Sequence, residues 1–277
     1  MGRTEELVRL FASLGEQSLR DFEVIVVDQN PDERLCPIVE AWRSHLDIQH
    51  LRSEPGLSRS RNKGLTVASG KLIAFPDDDC WYPNETLQRV KVWFEGHSKF
   101  DILSGCARTD EGELTSSRWM PASSEIHSRN VYRTGISFTL FFRASAIHSV
   151  QGFDEQLGLG AGTRFGSGEE SDCVFRLLAR GSRGWFDRDL TIHHPNKTHD
   201  FSAKARIRAH SYGVGFGYLL RRHKLPLLHS LYLCARPAGG CLLALIRRRP
   251  GADIYWATFR GRLEGYWGGM TECEERS

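Results

Sequence analysis

The first 200 residues alternate between two patterns of apolar positions. Apolar side chains at helical spacing mark amphipathic helices at residues 5–14 and 85–94, and Glu169–Arg180 also predicts a helix. Between the helical patterns lie apolar runs rich in β-branched residues, of which Phe22–Val27 and Leu72–Phe75 are the clearest. Runs of this kind are typical of strands buried on both faces of a parallel sheet. Strands that alternate with helices favour an α/β domain.

The remaining elements are predicted from shorter patterns. Helices are expected near residues 38–46 and at 59–69, and the second of them is closed by Gly70. Further strands are predicted at 48–51, 102–107, 138–142 and 185–192. An irregular polar loop is predicted at 109–135, and a mobile glycine-rich loop at 152–168.

The most apolar stretch of the chain, residues 225–246, is long enough to cross a bilayer. Arg236 lies at its middle, where an arginine costs about 2.5–3.5 kcal/mol on insertion scales. Basic residues flank both ends, so the positive-inside rule places both ends on the cytoplasmic side. We therefore predict a segment that is broken by Pro237 and lies in the membrane interface, or dips in and returns. The alternative is a buried helical hairpin in a soluble tail.

Charge separates the chain into two regions, residues 1–200 and 201–277. The second region holds 13 basic and 5 acidic residues, a net charge of +8, whereas the first holds 24 and 29, a net charge of −5. This division predicts a metal-binding body and a basic helical tail that faces an anionic surface, with a solvated basic helix as the alternative. The seven cysteines include no C-x-x-C pair, which favours a reducing compartment, and the N-terminus has no signal-peptide pattern.

Three consecutive carboxylates, Asp77, Asp78 and Asp79, directly follow a predicted strand, and Asp28 ends another. Packed carboxylates repel one another, and one or more would be protonated unless a cation compensates. Mg²⁺ and Mn²⁺ prefer oxygen ligands and often bridge to a substrate diphosphate. Ligands of parallel sheets bind at the carboxyl ends of strands. The triplet therefore predicts a metal–diphosphate site, with a solvent-exposed acidic turn as the alternative.

Three other segments carry candidate chemistry. Residues 56–64 combine glycine turns with basic and amide donors near a helix start, which suits a phosphate or ribose, although basic helix starts are also frequent on surfaces. Residues 168–172 place carboxylates at a helix N-terminus, either as a general base or as simple caps. His193 and His194 end the last predicted strand, where a histidine supplies a metal ligand or has only a structural role.

The order of these motifs resembles the family 2 glycosyltransferases of the GT-A fold over roughly residues 3–200. The segments that carry the resemblance are, in order, FEVIVVD, GLSRSRNKGL, LIAFPDDDCWYP, FTLFFRASAIHSVQGFDE and GEESD. The resemblance implies a GT-A type, Rossmann-like mixed sheet flanked by helices, here followed by a helical membrane-associated C-terminal tail. Residues 1–200 would be the glycosyltransferase domain and residues 201–277 the tail.

The resemblance also implies roles for single residues. Glu170 would be the catalytic base, with Asp172 as the second candidate because Ser171 separates two carboxylates. Asp79 would be the main metal ligand, paired with Asp77 in a DxD motif, and His194 or His193 would lie near the metal. Asp28 would contact the nucleotide base or ribose, and Trp81 and Pro83 would shape the donor pocket. The other residues expected to line the donor site are Arg61, Asn62, Asp77 and Asp78.

The expected function is transfer of a sugar from a nucleotide-sugar donor to an acceptor hydroxyl, with inversion and with Mg²⁺ or Mn²⁺. The acceptor would be a saccharide or lipid-linked saccharide in polysaccharide or glycolipid synthesis. The enzyme would be cytoplasmic, peripheral or monotopic at the cytoplasmic membrane face, with no nucleic-acid partner. The alternatives are a sugar nucleotidyltransferase and a catalytically dead, membrane-associated binding protein of the same fold.

One departure from the family concerns the N-terminus. Family members begin with a central strand and a turn before the first helix, whereas this sequence starts within the turn. We expect that the start is assigned too late, and a truncated gene product is the alternative. Without that strand, Val24–Val27 and Leu72–Phe75 would lose ladder partners.

Overall fold

The computed structural model describes residues 2–116, 119–196 and 200–274. They form two compact units. The first comprises Met1–Pro55, Arg59–Phe153 and Cys173–Lys197, and the C-terminal unit comprises Gly56–Ser58, Asp154–Asp172 and Thr198–Ser277. Residues 56–58 and 154–172 thus group with the C-terminal helices, although they precede the boundary predicted near residue 200. The prediction that two functional regions meet near residue 200 stays a prediction.

The strands of the first unit form two sheets. In the smaller sheet β1 pairs with β2 in parallel, and in the larger sheet the order is β3-β6-β4-β7-β5. Within the larger sheet β4 and β7 are parallel and the other pairs are antiparallel, which confirms the predicted mixed sheet. The strands are β1 Val24–Asp28, β2 Ile48–Arg52, β3 Leu72–Ala74, β4 Ile102–Arg108, β5 Ser124–Ile126, β6 Leu140–Arg143 and β7 Gly184–His193.

Helices flank these strands, as predicted. Leu7, Leu10, Phe11 and Leu14 of the first helix are buried, because their spacing places them on one face. The helices that precede the C-terminal region are α1 Glu5–Gly15, α2 Cys36–Trp42, α3 Leu57–Leu65, α4 Thr86–Gly96, α5 Ala144–Ser149 and α6 Glu169–Ala179.

A predicted helix and a predicted loop differ from the structure. The helix expected at 59–69 begins at Leu57 and ends at Leu65. Gly70 does not close it, because the backbone N–H groups of Ser69 and Gly70 donate to the Glu23 carboxylate instead. The segment 109–135 is not wholly irregular, since it contains β5 and a 3₁₀ turn at Val131–Arg133.

The strands β1 and β3 are less buried than their sequences predict. Val24–Val27 and two of the three residues of β3 are only partly buried. Among the described strands, β1 pairs only with β2 and β3 only with β6, so each is an edge strand.

Three long helices dominate the C-terminal unit: α7 Ala203–Arg222, α8 Leu227–Ile246 and α9 Ala252–Glu274. Helices α7 and α9 approach so closely that glycines are required at the crossing. A Cβ atom built on any of these glycines would lie within 3 Å of backbone atoms of the facing helix. The glycines form two pairs at i, i+4 spacing, namely Gly213 with Gly217 and Gly261 with Gly265.

Helix α8 continues through Pro237, which corrects the prediction of a segment broken at this residue. A proline inside a helix removes the N–H that would bond the carbonyl four residues earlier. That carbonyl belongs to Leu233, and it accepts a hydrogen bond from the Arg262 guanidinium of α9. Because this bond replaces the lost one, the helix tolerates the proline without ending there.

Candidate active site

The acidic triplet lies in the turn that follows β3. The backbone N–H of Cys80 donates to the Asp77 carbonyl at 3.1 Å and fixes this turn. Asp79 is buried, and its Oδ1 lies 3.3 Å from Nε2 of His194. The structure therefore brings together two predicted metal ligands that are far apart in sequence.

His194 follows the end of β7 and is buried. Its ring stacks on Phe138 with a centroid distance of 4.8 Å, and Nδ1 lies 2.7 Å from the Pro195 carbonyl oxygen. Within the described residues, Nε2 has no hydrogen-bond partner, although it faces Asp79. A buried polar atom without a hydrogen-bond partner is uncommon. Such an atom is suited to bind a ligand that is not part of the chain, such as a metal ion.

The chemistry of the Asp79–His194 pair fits a divalent cation. No group of three or more His, Cys, Asp or Glu side chains in the described ranges is arranged to hold a metal ion. However, Mg²⁺ is usually bound by one or two carboxylates together with substrate phosphates and water. Two protein ligands therefore suffice for a cation that binds together with a diphosphate.

Asp77 is linked to the basic segment after β2. Its Oδ1 lies 3.5 Å from an Arg61 guanidinium nitrogen and accepts a hydrogen bond from the Ser137 hydroxyl at 3.4 Å. Desolvation raises the pKa of the Asp77 carboxyl, and the nearby carboxylates of Asp79 and Asp78 raise it further, whereas Arg61 opposes them. Added positive charge at this point would therefore favour the ionised form.

Trp81 is held at the same turn by a backbone bridge to β7. Trp81 and His193 exchange two backbone hydrogen bonds of 3.0 and 2.9 Å, and their rings stack at 5.6 Å. The Arg9 guanidinium lies 3.2 Å from the centre of the Trp81 ring. Trp81 is thus fixed beside the triplet, and its predicted place in the donor pocket stays a prediction.

Arg3 enters the site although the sequence patterns did not indicate it. Its Nη1 lies 2.6 Å from Asp78 Oδ1 and 2.7 Å from Asp79 Oδ2. Partial burial opposes the charge of the guanidinium, but the two carboxylates raise the pKa of Arg3 overall. A cationic group is therefore in direct contact with the predicted metal ligand, and the only sequence signal was a basic residue just before α1.

Asp28 ends β1 but is engaged by protein groups. Its Oδ1 accepts hydrogen bonds of 2.8 Å from both the backbone and the side chain of Asn30, and Oδ2 accepts one of 2.5 Å from Arg52. Burial alone would raise the pKa of Asp28, but these bonds outweigh it and lower the pKa. The carboxylate is fully buried, and its predicted contact with the nucleotide stays a prediction.

Asn62 lies one residue after Arg61 but has a different set of partners. Its side-chain amide donates to the Phe153 carbonyl and accepts from the Phe153 N–H, both at 2.8 Å. The paired bonds tie α3 to the chain after α5. Asn62 is therefore brought near the site by its neighbour, and its own predicted donor contact stays untested.

The predicted catalytic carboxylates lie on the first turn of α6, in the part of this helix that belongs to the C-terminal unit. Glu170 is partly exposed, whereas Asp172 is fully buried. Asp172 Oδ1 lies 2.8 Å from His223 Nε2 and 3.6 Å from Arg222 Nε. Arg222 also bonds Asp154 at 2.6 Å. No sequence pattern indicated His223 or Arg222 as partners of Asp172.

The sequence model described as Glycosyl transferase family 2 matches residues 2–149. The pre-mycofactocin glycosyltransferase of Mycobacterium tuberculosis is 28% identical, and the match covers 86% of this chain but only 49% of that protein. The chain thus spans about half the length of this relative. The succinoglycan biosynthesis protein ExoM of Rhizobium meliloti is 26% identical over 89% of this chain and 81% of its own length.

Two solved structures show that the chain has the fold of known glycosyltransferases. The mannosyltransferase PcManGT from Pyrobaculum calidifontis, solved with GDP-Man and Mn²⁺, has a TM-score of 0.67 at 17% identity, and the match covers 96% of this chain and 85% of that one. Residues 1–349 of S. aureus TarS, solved with UDP-GlcNAc, give a TM-score of 0.58 at 18% identity, with coverage of 98% and 88%. Both confirm the GT-A fold.

Proposed function

Because this chain belongs to glycosyl transferase family 2, we propose that it transfers a sugar from a nucleotide-sugar donor to an acceptor hydroxyl. The observation that carries the proposal is the buried pair of Asp79 and His194 at the ends of two strands, beside Asp77 and its partner Arg61. An acidic and imidazole pair at this edge of the sheet suits a metal–diphosphate. The relative named as a succinoglycan biosynthesis protein supports a role in polysaccharide synthesis.

We infer that the donor diphosphate binds at the acidic triplet. Asp79 and His194 would hold Mg²⁺ or Mn²⁺, with Asp77 as a further candidate ligand. When bound, the cation would neutralise the nucleoside diphosphate leaving group. Arg61 offers fixed positive charge on the same side, and Trp81, whose ring contacts His193 and Arg9, would border the donor pocket. The structure solved with GDP-Man and Mn²⁺ supports divalent metal use in this fold.

Three further side chains would contribute to the donor site. Asp78 would be available to the donor once Arg3 moves away from its carboxylate. Asn62 would act mainly by holding the chain at Phe153, and Asp28 by fixing the end of β1.

We propose Glu170 as the general base. It would take the proton of the acceptor hydroxyl as the oxygen attacks the anomeric carbon from the side opposite the leaving diphosphate, which gives inversion. Asp172 is better suited to position the turn, because its carboxylate is buried and already bound by His223 and Arg222. Glu170 is the more exposed of the two carboxylates and is therefore the better candidate.

The proposed setting is the cytoplasmic face of a membrane, with a saccharide or lipid-linked acceptor. Helix α8 is, among the described residues, the one helix long and apolar enough to cross a bilayer. That observation supports contact of α8 with lipid.

Donor hydrolysis tests this function directly. The protein would be incubated with a panel of UDP-, GDP- and dTDP-sugars, with and without Mn²⁺, and the released nucleotide analysed. Nucleoside diphosphate release that needs the metal is the expected result. Release of pyrophosphate would instead identify a nucleotidyltransferase, and absence of turnover with every donor would favour the non-catalytic alternative.

Glu170→Gln tests the base. We expect turnover to fall by about 10²–10⁴-fold, the usual contribution of a general base, while donor affinity stays nearly constant. Glu95→Gln, an exposed carboxylate on α4, is the matched control and should keep full activity. Equal activity of the Glu170→Gln variant and the control would remove Glu170 from this role.

A further inference from the structure

Helix α8 has an outward face without any charged side chain. At 100° per residue, its exposed positions fall within one arc of the helix, and they are Leu227, Leu228, Leu231, Tyr232, Ala235, Gly239, Leu242, Leu243, Leu245 and Ile246. Leu228 is 82% exposed and Ile246 is 69% exposed. The solvent-exposed side of a surface helix normally carries charged or polar residues, whereas the exposed side of α8 is mostly apolar.

The opposite face of α8 is occupied by α9. Arg262 bonds the Leu233 carbonyl, and a Cβ atom on Gly240 would lie 2.9 Å from the Tyr255 ring. Ser230, Leu233, Cys234, Pro237 and Ala244 are buried on this side. The two faces are therefore distinct, and only the outward one is left for a partner.

Positive charge brackets the apolar face at both ends. Arg221 and Lys224 lie just before the helix, and Arg247, Arg248 and Arg249 follow it, all exposed. The helix has 20 residues, which corresponds to a length of about 30 Å. Both basic clusters would reach the headgroups of one leaflet if the axis lay parallel to the surface. A spanning helix would instead place one cluster on the far side, against the positive-inside rule.

We propose that α8 lies flat in the headgroup region of an anionic membrane, with its outward face in the acyl boundary and both basic clusters on anionic lipids. This inference rests on the membrane part of the proposed function and deepens it. Interfacial helices combine a leucine-rich apolar face with Lys and Arg side chains, and tyrosine is enriched at membrane–water interfaces. A second copy of α8 is a poorer partner, because antiparallel pairing would bring the two basic clusters together.

Vesicle flotation tests the proposal without any donor. We expect the full chain to float with phosphatidylcholine vesicles that contain about 30% phosphatidylglycerol, and to bind pure phosphatidylcholine at least tenfold more weakly. Each basic residue near such a surface contributes about fivefold in affinity, so Arg247→Gln/Arg248→Gln/Arg249→Gln should reduce binding on the order of 100-fold. Leu228→Glu/Ile246→Glu should reduce it at least tenfold.

The flotation assay also includes a control variant, and it has outcomes that would contradict the proposal. Val92→Glu changes a residue that is 53% exposed on α4 of the first unit, and it should float like the parent protein. Thermal unfolding of each variant checks that the fold is kept. Equal binding to neutral vesicles, or unchanged binding of Leu228→Glu/Ile246→Glu, would overturn the proposal. So would a concentration-dependent dimer that the same substitutions dissociate, without vesicle binding.

Depth quenching distinguishes a flat helix from a spanning one. Ala235→Cys places an NBD label on the exposed face at the helix centre, after Cys36, Cys241 and Cys273 are changed to Ser. A flat helix predicts stronger quenching by 5-doxyl than by 12-doxyl lipid, and the opposite order would overturn it. Loss of donor hydrolysis in solution would contradict the proposed sugar transfer and not this inference, whereas loss of flotation would contradict this inference and the proposed membrane setting but not the sugar transfer.

Discussion

Gly217 lies in the close crossing of α7 and α9, so that a single methyl group should measure how tightly these helices pack. A Cβ atom there would be 2.8 Å from the carbonyl carbon of Arg262, 2.9 Å from the nitrogen of Tyr266, and nearer still to the Arg262 carbonyl oxygen. These are backbone atoms that cannot rotate away, so Gly217→Ala must push the helices apart. Gly239→Ala on α8 is the matched control, because nothing lies within 4 Å of its Cβ position.

The expected size follows from two opposing effects. Alanine is favoured over glycine inside a helix by about 0.8–1 kcal/mol, and both variants gain this. Overpacking costs about 1–3 kcal/mol, and occasionally more, and only Gly217→Ala bears it. The free energies of unfolding of the two variants should therefore differ by about 1–3 kcal/mol, with Gly239→Ala slightly more stable than the parent.

Thermal unfolding followed by far-ultraviolet circular dichroism measures this difference. At about 2–4 °C per kcal/mol, the Tm of Gly217→Ala should lie several degrees below that of Gly239→Ala. A Tm for Gly217→Ala that equals or exceeds that of the control would refute the close helix crossing.

Three further predictions concern single side chains. Arg3→Ala should bind Mn²⁺ about two- to fivefold more tightly without donor, measured by electron paramagnetic resonance, because the half-exposed guanidinium competes for Asp79; unchanged affinity would contradict the competition. Arg262→Met should lower the free energy of unfolding by about 1–3 kcal/mol, measured with urea, because the Leu233 carbonyl loses its donor; wild-type stability would show that the bond contributes nothing. Asp28→Asn should destabilise the protein most near neutral pH, because the depressed pKa of Asp28 adds stability above its ordinary value of 3.8 and loses it as pH falls through the folded pKa. A stability gap that stays constant from pH 7 to pH 3 would contradict that linkage.

Sequence patterns predicted those parts of the molecule that depend on local periodicity. The buried face of α1 follows from the spacing of Leu7, Leu10, Phe11 and Leu14, and the positions of β1 and β3 follow from the apolar runs. The apolar runs favoured a parallel sheet, whereas the mixed sheet was implied only by the resemblance to the family. The position of the acidic triplet after β3 was also predictable, because the strand and the triplet are adjacent in sequence.

Contacts between distant residues could not be predicted in this way. Nothing near Pro237 in sequence indicates that Arg262 donates to the Leu233 carbonyl, so the proline predicts a break rather than a continuous helix. The short strand β5 has only three residues, too few for a periodic pattern to show. The helix crossing did leave a signal, since glycines recur at i, i+4 spacing in both helices.

The bond between Asp172 and His223 also bears on the order in which the chain folds during synthesis. These residues are 51 positions apart, so the ribosome must add the whole of that interval before the partner exists. At about 5–20 residues per second, the delay is roughly 3–10 s. During that time the Asp172 carboxylate lacks the hydrogen bond to His223, so that its burial costs more than in the complete chain. The turn that carries Glu170 should therefore be among the last parts of the nascent chain to become ordered.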